Sequence, residues 1–167
     1  GAIGNDCHGA AIRKHLVKHN IDVSHLHTRA GSTASSDIYV LETGETHSPD
    51  ECWRGGVYQT FRLSQDDWEF ARSHDIVAIL SVDPNFRESI RQTQPAKLVV
   101  DFLNTRDYDL MEEVIGEIDI AFISGDADVV TRLERLAASV DTLIVVTLGK
   151  QGSIAFRQGA RYKQCAV

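Results

Sequence analysis

An apolar run over residues 142–147, TLIVVT, leads directly into a glycine-bracketed turn over residues 148–152, LGKQG. Three similar runs precede it at intervals of about 22 residues, over 75–80, 97–102 and 119–123. Each run is almost continuously apolar, which is typical of parallel strands that are covered on both faces. The four runs therefore predict a central, mostly parallel sheet.

The segments between these runs have helical periodicity. Met111, Val114, Ile115 and Ile118 recur at spacings of three or four residues, and residues 129–137 repeat the pattern. Strands that alternate with helices at this interval predict βαβ units. The fold class is therefore α/β, with helices flanking the sheet.

Three shorter signals add elements to this outline. Asp6 is predicted to cap a first helix that runs to about Asn20. Ser64 opens a sequence that resembles a capping box with Asp in the usual place of Glu, which predicts a helix through Ser73. A final hairpin is predicted to turn at Gln158-Gly159.

Residues 30–62 have a different pattern. The stretch 37–42, DIYVLE, alternates apolar and polar residues, the stretch 43–45 offers a turn, and 57–61, VYQTF, is suited to a returning strand. We therefore expect a small antiparallel β lid, inserted before the parallel sheet. Such a flap beside an α/β sheet commonly covers a ligand.

Composition and charge exclude several classes of function. The net charge is −7, from 17 Lys and Arg against 24 Asp and Glu, and no basic cluster occurs. We therefore expect neither a nucleic-acid partner nor binding to an anionic membrane surface. Cys7, Cys52 and Cys165 are widely spaced and form no metal-binding motif. They indicate reduced thiols and predict a cytoplasmic protein.

The turn after the last parallel strand is a candidate nucleotide site. Ligands of parallel sheets bind beyond the carboxyl ends of the strands. Glycines let backbone N–H groups approach a phosphate there, and Thr147 adds a hydroxyl donor. The other interpretation is an ordinary turn between strands, and the motif alone leaves both open.

Four stretches in a fixed order make the chain similar to a known family. Residues 3–9, IGNDCHG, residues 20–26, NIDVSHL, the expected lid, and residues 145–153, VVTLGKQGS, resemble the ribokinase-like (PfkB) carbohydrate kinases. Within that family, four shorter segments are most similar to the fructoselysine kinase branch, namely 23–28, 63–67, 74–77 and 145–154. The resemblance extends over the whole chain and implies the ribokinase-like version of the α/β fold.

The resemblance implies a function and a set of site residues. It implies transfer of the ATP γ-phosphate to a hydroxyl of a sugar or sugar-amine, with ATP and Mg²⁺ as cofactors. The residues 1–167 then form a single, incomplete kinase domain. The nucleotide residues are Thr147, Gly149, Gly152 and Asp101; the lid residues toward the substrate are Thr33, Trp53, Arg54 and Tyr58; Asp128 is a metal candidate.

Two motifs of the family are absent from the chain. The catalytic G-A-G-D, whose Asp acts as the base, does not occur, and the similar stretch 124–126 precedes the nucleotide turn, so Asp126 is not assigned as the base. The G-G-N sugar motif is also absent. We expect a chain that is truncated at both ends, contains no catalytic residue and is inactive alone. The alternative is a non-catalytic nucleotide- or sugar-binding α/β module.

Two further family motifs are altered. The string DPNFR over 83–87 matches the family's D-P-N-x-R, but the topology favours the stretch 101–106, beginning with Asp101. Where the family has N-x-x-E, Ser124 and Ala127 stand here. Asp128, one residue later, supplies a carboxylate or merely starts a helix, where acidic residues are favourable.

The lid and the histidines each admit two interpretations. An aromatic and Arg group in the lid suits a polar sugar, or packs against its twin in a homodimer. The seven histidines are scattered, and none forms a convincing metal pair. His15 and His19 lie four residues apart, but Lys14 and Lys18 beside them indicate a solvated helix face.

Overall fold

The computed structural model describes residues 1–42, 46–47, 49 and 52–166. It separates into two compact units, Gly1–Asp67 and Trp68–Val167. None of the helices in the described part of the chain combines the length and apolarity that a membrane span needs.

The first unit contains short strands and one long helix. Its elements are β1 (Ala2–Gly4), α1 (Cys7–Lys18), β2 (His27–Arg29), β3 (Ser35–Ser36), β4 (Tyr39–Val40), β5 (Thr46–His47) and β6 (Trp53–Arg54). The strands β1 and β2 are parallel, whereas β3 pairs with β6 and β4 with β5 in antiparallel fashion. The predicted antiparallel β structure in this region is therefore confirmed.

The prediction of a returning strand over 57–61 is wrong. Residues Gly56–Tyr58 form a 3-10 turn, and β6 is the strand that returns. The reason is local, because Gly56 adopts a φ of +51° and the N–H of Val57 donates to the carbonyl of Ser32 at 2.9 Å. The turn expected over 43–45 lies outside the described residues.

Two helix starts follow the sequence prediction. The Asp6 carboxylate accepts the N–H of Gly9 at 2.8 Å and caps α1. The helix α2 (Gln65–Arg72) begins at the predicted capping box. There the Ser64 hydroxyl accepts the N–H of Asp67 at 3.2 Å, and the Asp67 carboxylate accepts the N–H of Ser64 at 2.8 Å.

The second unit is built on a six-stranded sheet. Its strands are β7 (Ile76–Leu80), β8 (Lys97–Asp101), β9 (Ile120–Ser124), β10 (Leu143–Thr147), β11 (Ser153–Arg157) and β12 (Ala160–Gln164), joined by α3 (Phe86–Gln92), α4 (Tyr108–Val114) and α5 (Ala127–Ala137). The strands β7 to β10 are parallel, and β10, β11 and β12 are antiparallel neighbours. All four predicted parallel strands and the final hairpin are confirmed.

Among the described residues, the strands β8, β9 and β10 bury alternate residues more deeply than the residues between them. Leu98, Val100, Ile144 and Val146 are almost fully buried against the three helices, but the residues between them are not. On the edge strand β7, Ile76 and Leu80 remain 56% and 41% exposed. Because each strand pairs with the next along the chain, right-handed crossovers place the three connecting helices α3, α4 and α5 on the same face.

Candidate functional site

The carboxyl ends of three adjacent parallel strands carry polar side chains at one sheet edge. Asp101 ends β8, Ser124 ends β9 and Thr147 ends β10. The hydroxyl oxygens of Ser124 and Thr147 are 3.2 Å apart. This edge is where parallel sheets bind ligands, so the predicted nucleotide residues Asp101 and Thr147 lie on the expected side.

Arg106 brings positive charge to the same edge. Its guanidinium donates to the carbonyl of Ser124 at 3.2 Å and lies 3.5 Å from the Asp126 carboxylate. Asp101 shapes this segment, because its carboxylate accepts the N–H of Leu103 at 2.7 Å, and Leu103 adopts a φ of +58°. The stretch 101–106 thus delivers both a carboxylate and a guanidinium to the strand ends.

The stretch 83–87, the other match to the family's D-P-N-x-R, makes local structural contacts instead. The Asp83 carboxylate accepts the N–H of Asn85 at 2.7 Å, which forms the turn before α3. Arg87 makes two contacts with the Glu113 carboxylate, at 2.5 and 3.0 Å. Its charge is therefore engaged in an exposed ion pair between α3 and α4.

The turn after β10 has the backbone that its glycines suggest. Gly149 has a φ of +55° and Gly152 a φ of +90°. Residues Gly149–Gln151 form a single 3-10 turn, closed by the N–H of Gly152 donating to the carbonyl of Gly149 at 3.0 Å. The first residues of such a turn, Gly149 and Lys150, have N–H groups without a partner inside it.

Asp126 and Asp128 open the helix α5 beside this turn. Asp126 is the N-cap, and its carboxylate accepts the N–H groups of Asp128 and Val129, both at 3.1 Å. The bond from Val129, with the nearby Arg106 charge, lowers the pKa of Asp126. Asp128 is exposed in the first helical turn. Asp126 is thus engaged in capping, while the metal role of Asp128 stays a prediction.

A cleft adjoins the nucleotide turn within the second unit. Its volume is about 260 Å³, and it lies between α5, the turn and the final hairpin. Leu148 and Gln151 of the turn line it, together with Arg161 and Lys163 of β12. Arg161 is paired with Glu134 of the same cleft at 3.4 Å, so Lys163 is the basic residue of this lining that suits an anionic ligand.

Thr33 is buried and links its own segment to the segment that contains Gly4 and Asp6 by hydrogen bonds. Its hydroxyl donates to the Asp6 carboxylate at 2.6 Å and accepts the N–H of Gly4 at 2.9 Å. Its own N–H donates to the other Asp6 oxygen at 2.8 Å. Thr33 therefore holds the start of α1, and the structure does not bring it to the exposed surface of the lid.

Of the other predicted lid residues, Trp53 and Arg54 are exposed and Tyr58 is half-buried. The rings of Trp53 and Tyr58 meet edge to face with centroids 6.4 Å apart. Arg54 pairs with Asp37 at 2.5 Å, and this hydrogen-bonded pair lowers the pKa of Asp37. Trp53 and Tyr58 thus form an aromatic pair, and the charge of Arg54 is matched by a carboxylate.

Sequence reasoning missed a cluster formed by His25, His27 and Asp67. His25 Nδ1 and His27 Nε2 each lie 2.7 Å from the same Asp67 oxygen. Burial raises the pKa of Asp67, but hydrogen bonds from His27, His25 and Ser64 outweigh it and hold the pKa below its usual range. The view that no histidine pair is convincingly placed is therefore corrected. The available signal was the spacing of two residues, which puts extended side chains on one face.

Comparison with solved structures identifies the class of fold. Ribokinase from Arabidopsis thaliana, solved with ribose and ATP, aligns with a TM-score of 0.76 at 19% identity over 100% of this chain and 60% of its own. Ribokinase from Thermotoga maritima aligns with a TM-score of 0.75 at 16% identity, over 99% and 58%. The chain therefore has the ribokinase-like fold, as the sequence predicted.

Comparison with curated proteins shows which members of this fold class have a similar sequence. Fructoselysine 6-kinase of Escherichia coli K12 is 29% identical over 168 residues, which cover 96% of this chain. The chain spans 61% of the length of that relative. No family model matches. The resemblance to PfkB carbohydrate kinases, and to their fructoselysine branch in particular, is confirmed by these similarities.

Proposed function

We propose that the full-length protein is a cytoplasmic kinase that transfers the γ-phosphate of ATP to a hydroxyl of a sugar or sugar-amine. The observation that carries this proposal is the arrangement at the carboxyl edge of the sheet. There the Ser124 and Thr147 hydroxyls, 3.2 Å apart, adjoin Arg106 and the glycine turn. Three free cysteines among the described residues support a reducing compartment.

The residues at this edge fit a nucleotide. The open space around Gly149 admits a phosphate close to the backbone. The N–H groups of Gly149 and Lys150, with the Thr147 hydroxyl, are the donors we assign to it. Phosphoryl transfer depends mainly on positioning and on neutralising charge. Arg106 supplies such charge from the protein, through the segment that Asp101 shapes.

Magnesium would supply the remaining charge neutralisation. It is normally held by phosphates, waters and one or two carboxylates. Asp128 is exposed at the start of α5 and offers an oxygen ligand of this kind. We assign the stretch 101–106, rather than 83–87, as the counterpart of the family's D-x-N-x-R, because Arg106 reaches the end of β9 through its bond to the Ser124 carbonyl.

The substrate proposal rests on the curated relative. Its name indicates fructoselysine, a sugar-amine, as the first compound to test. The aromatic pair Trp53 and Tyr58 with Arg54 supports a polar, sugar-like ligand at the lid. No catalytic base is assigned to residues 1–167. The second candidate function, a non-catalytic binding module, is favoured by Ser124 and Ala127, which stand where the family has N-x-x-E.

The protein expressed from the intact gene tests the proposal. We expect ATP- and Mg²⁺-dependent phosphorylation of fructoselysine or of another sugar in a panel, measured as ADP release and by mass of the product. ATP binding without transfer to any acceptor supports the binding module instead. Neither binding nor transfer contradicts both proposals.

The double variant Ser124→Ala/Thr147→Val is expected to weaken ATP binding about tenfold. It removes two hydroxyls that each contribute about 0.5–1.5 kcal/mol in a hydrogen bond. The matched control is Ser139→Ala, whose exposed hydroxyl donates to the Leu136 carbonyl at the end of α5. Titration calorimetry with ATP compares the two. Equal affinities for both variants would argue against a nucleotide at this edge.

We further propose that the lid mediates a homodimer. Ile38, Tyr39, Val40, Leu41 and Trp53 are all exposed in the first unit. Exposed apolar residues clustered in this way favour association. Light scattering of the intact protein is expected to give a dimer, which Val40→Asp dissociates and Val17→Asp, on exposed α1, does not. A strictly monomeric wild type contradicts this proposal.

A further inference from the structure

Three metal-ligand side chains converge in the first unit, apart from every residue assigned to ATP. His25 Nδ1 and His27 Nε2 each lie 2.7 Å from Oδ1 of Asp67. The three candidate ligand atoms all lie within 4.8 Å of one another. Two imidazole nitrogens and one carboxylate oxygen are a donor set typical of divalent transition metals.

The cluster is built on a held carboxylate. Asp67 lies in the first turn of α2, and its second oxygen accepts the N–H of Ser64 at 2.8 Å and the Ser64 hydroxyl at 2.7 Å. Ser64 therefore orients the carboxylate through the oxygen that does not face the histidines. Hydrogen bonds of this kind commonly fix metal-binding side chains.

The histidines approach from a neighbouring segment and keep an open side. His25 and His27 are two residues apart in the chain that leads into β2, so their rings can reach the same carboxylate. Their side chains are 30% and 41% exposed, whereas that of Asp67 is 3% exposed. An ion can thus enter from solvent, and a water can complete its coordination.

We propose that His25, His27 and Asp67 form a binding site for a divalent transition metal of the zinc type. Three protein ligands and one water give the tetrahedral arrangement of an open zinc site. The nitrogen donors disfavour Mg²⁺, which prefers oxygen ligands. The site therefore differs in chemistry from the magnesium site proposed for ATP and shares no residue with it.

Metal binding requires a small rearrangement of the hydrogen-bonded cluster. Tetrahedral ligands at zinc distances are about 3.3 Å apart, so each nitrogen must move roughly 0.6 Å from the carboxylate oxygen. Each ring must also present a lone pair at that nitrogen, with its proton on the other ring nitrogen. The half-exposed rings leave room for this movement, while Ser64 keeps Asp67 in place.

Titration of the intact protein with Zn²⁺ or Co²⁺ alone tests the site. We expect one ion per chain at this site by calorimetry, and visible absorption typical of tetrahedral Co²⁺. His25→Gln/His27→Gln is expected to weaken binding about 100-fold or more, because loss of outer-shell groups alone costs 10–100-fold. The matched control is His15→Gln/His19→Gln, which removes a second adjacent pair whose ring centroids lie 4.5 Å apart on α1.

The outcomes distinguish metal binding at this cluster from metal binding at other histidines. Unchanged affinity in the control with loss in the test variant supports the proposal. Equal loss in both variants, loss only in the control, or no binding to the wild type overturns it. Because His25 and His27 also link two segments, imidazole nitrogen shifts of the wild type on adding Zn²⁺ provide a readout that needs no variant. Shifts confined to histidines other than His25 and His27 overturn the proposal as well.

Discussion

Gly152→Ala is expected to lower the free energy of unfolding by about 3 kcal/mol or more. Gly152 has a φ of +90° and a ψ of −132°, a region open essentially to glycine alone. A Cβ built there lies 1.9 Å from the carbonyl oxygen of Gln164 and 2.7 Å from the nitrogen of Ala166. Both obstacles are backbone atoms, so no side-chain rotation relieves the overlap. Urea denaturation of both proteins measures the difference.

Gly149→Ala is the matched control in the same turn. Gly149 also has a positive φ, of +55°, but nothing lies within 4 Å of a Cβ at this position. The variant therefore bears only the cost of a left-handed backbone, about 1–2 kcal/mol. A Gly152→Ala protein no less stable than Gly149→Ala would contradict the close approach of β12 to this turn.

Thr33→Val is the second change with a large expected effect. Valine keeps the shape of threonine but removes the hydroxyl that joins Asp6 to the buried N–H of Gly4. A buried donor left without a partner costs about 1–3 kcal/mol. Chemical denaturation measures this loss, and Thr33→Ser, which keeps the hydroxyl, is expected to recover most of it. A serine variant as unstable as the valine variant would point to packing as the cause.

The same hydrogen bonds predict a pH dependence. The hydrogen bond from the Thr33 side chain, with those from the N–H groups of Gly9 and Thr33, lowers the pKa of Asp6 from its ordinary 3.8 to about 2. Stability from the ionised carboxylate is therefore present above pH 3.8 and is lost as the pH falls toward 2. Wild type is expected to lose more stability over this window than Thr33→Val. Similar losses in both would show that another carboxylate dominates.

The strands and helices of the sheet could be predicted from the sequence because the patterns that indicate them are local. The apolar runs of β7 to β10 and the periodic helices between them depend on neighbouring residues only. The capping box at Ser64 and the hairpin turn at Gln158-Gly159 are likewise set by residues within one turn.

Only part of the candidate sites could be predicted from the sequence, because some of their contacts are local and others are not. The glycine turn consists of consecutive residues, so the sequence alone reveals it. Its place after a parallel strand follows from the topology. The contact of Ser124 with Thr147 spans 23 residues, and those of His25 and His27 with Asp67 span 42 and 40. Thr33 looked like a lid residue because nothing near it in sequence reveals its bond to Asp6. Such pairings follow only from the folded chain.

The strand order of the second unit also has a consequence for how that unit assembles. Within the part of the chain that the structure describes, each strand from β7 to β12 is hydrogen-bonded only to strands next to it in chain order. Every pairing is thus closed by one short segment, a helix with its loops or a hairpin turn. Folding speed falls as contacts become more distant in sequence. The strand order therefore favours fast folding of this sheet, because strands that pair are also consecutive in the chain.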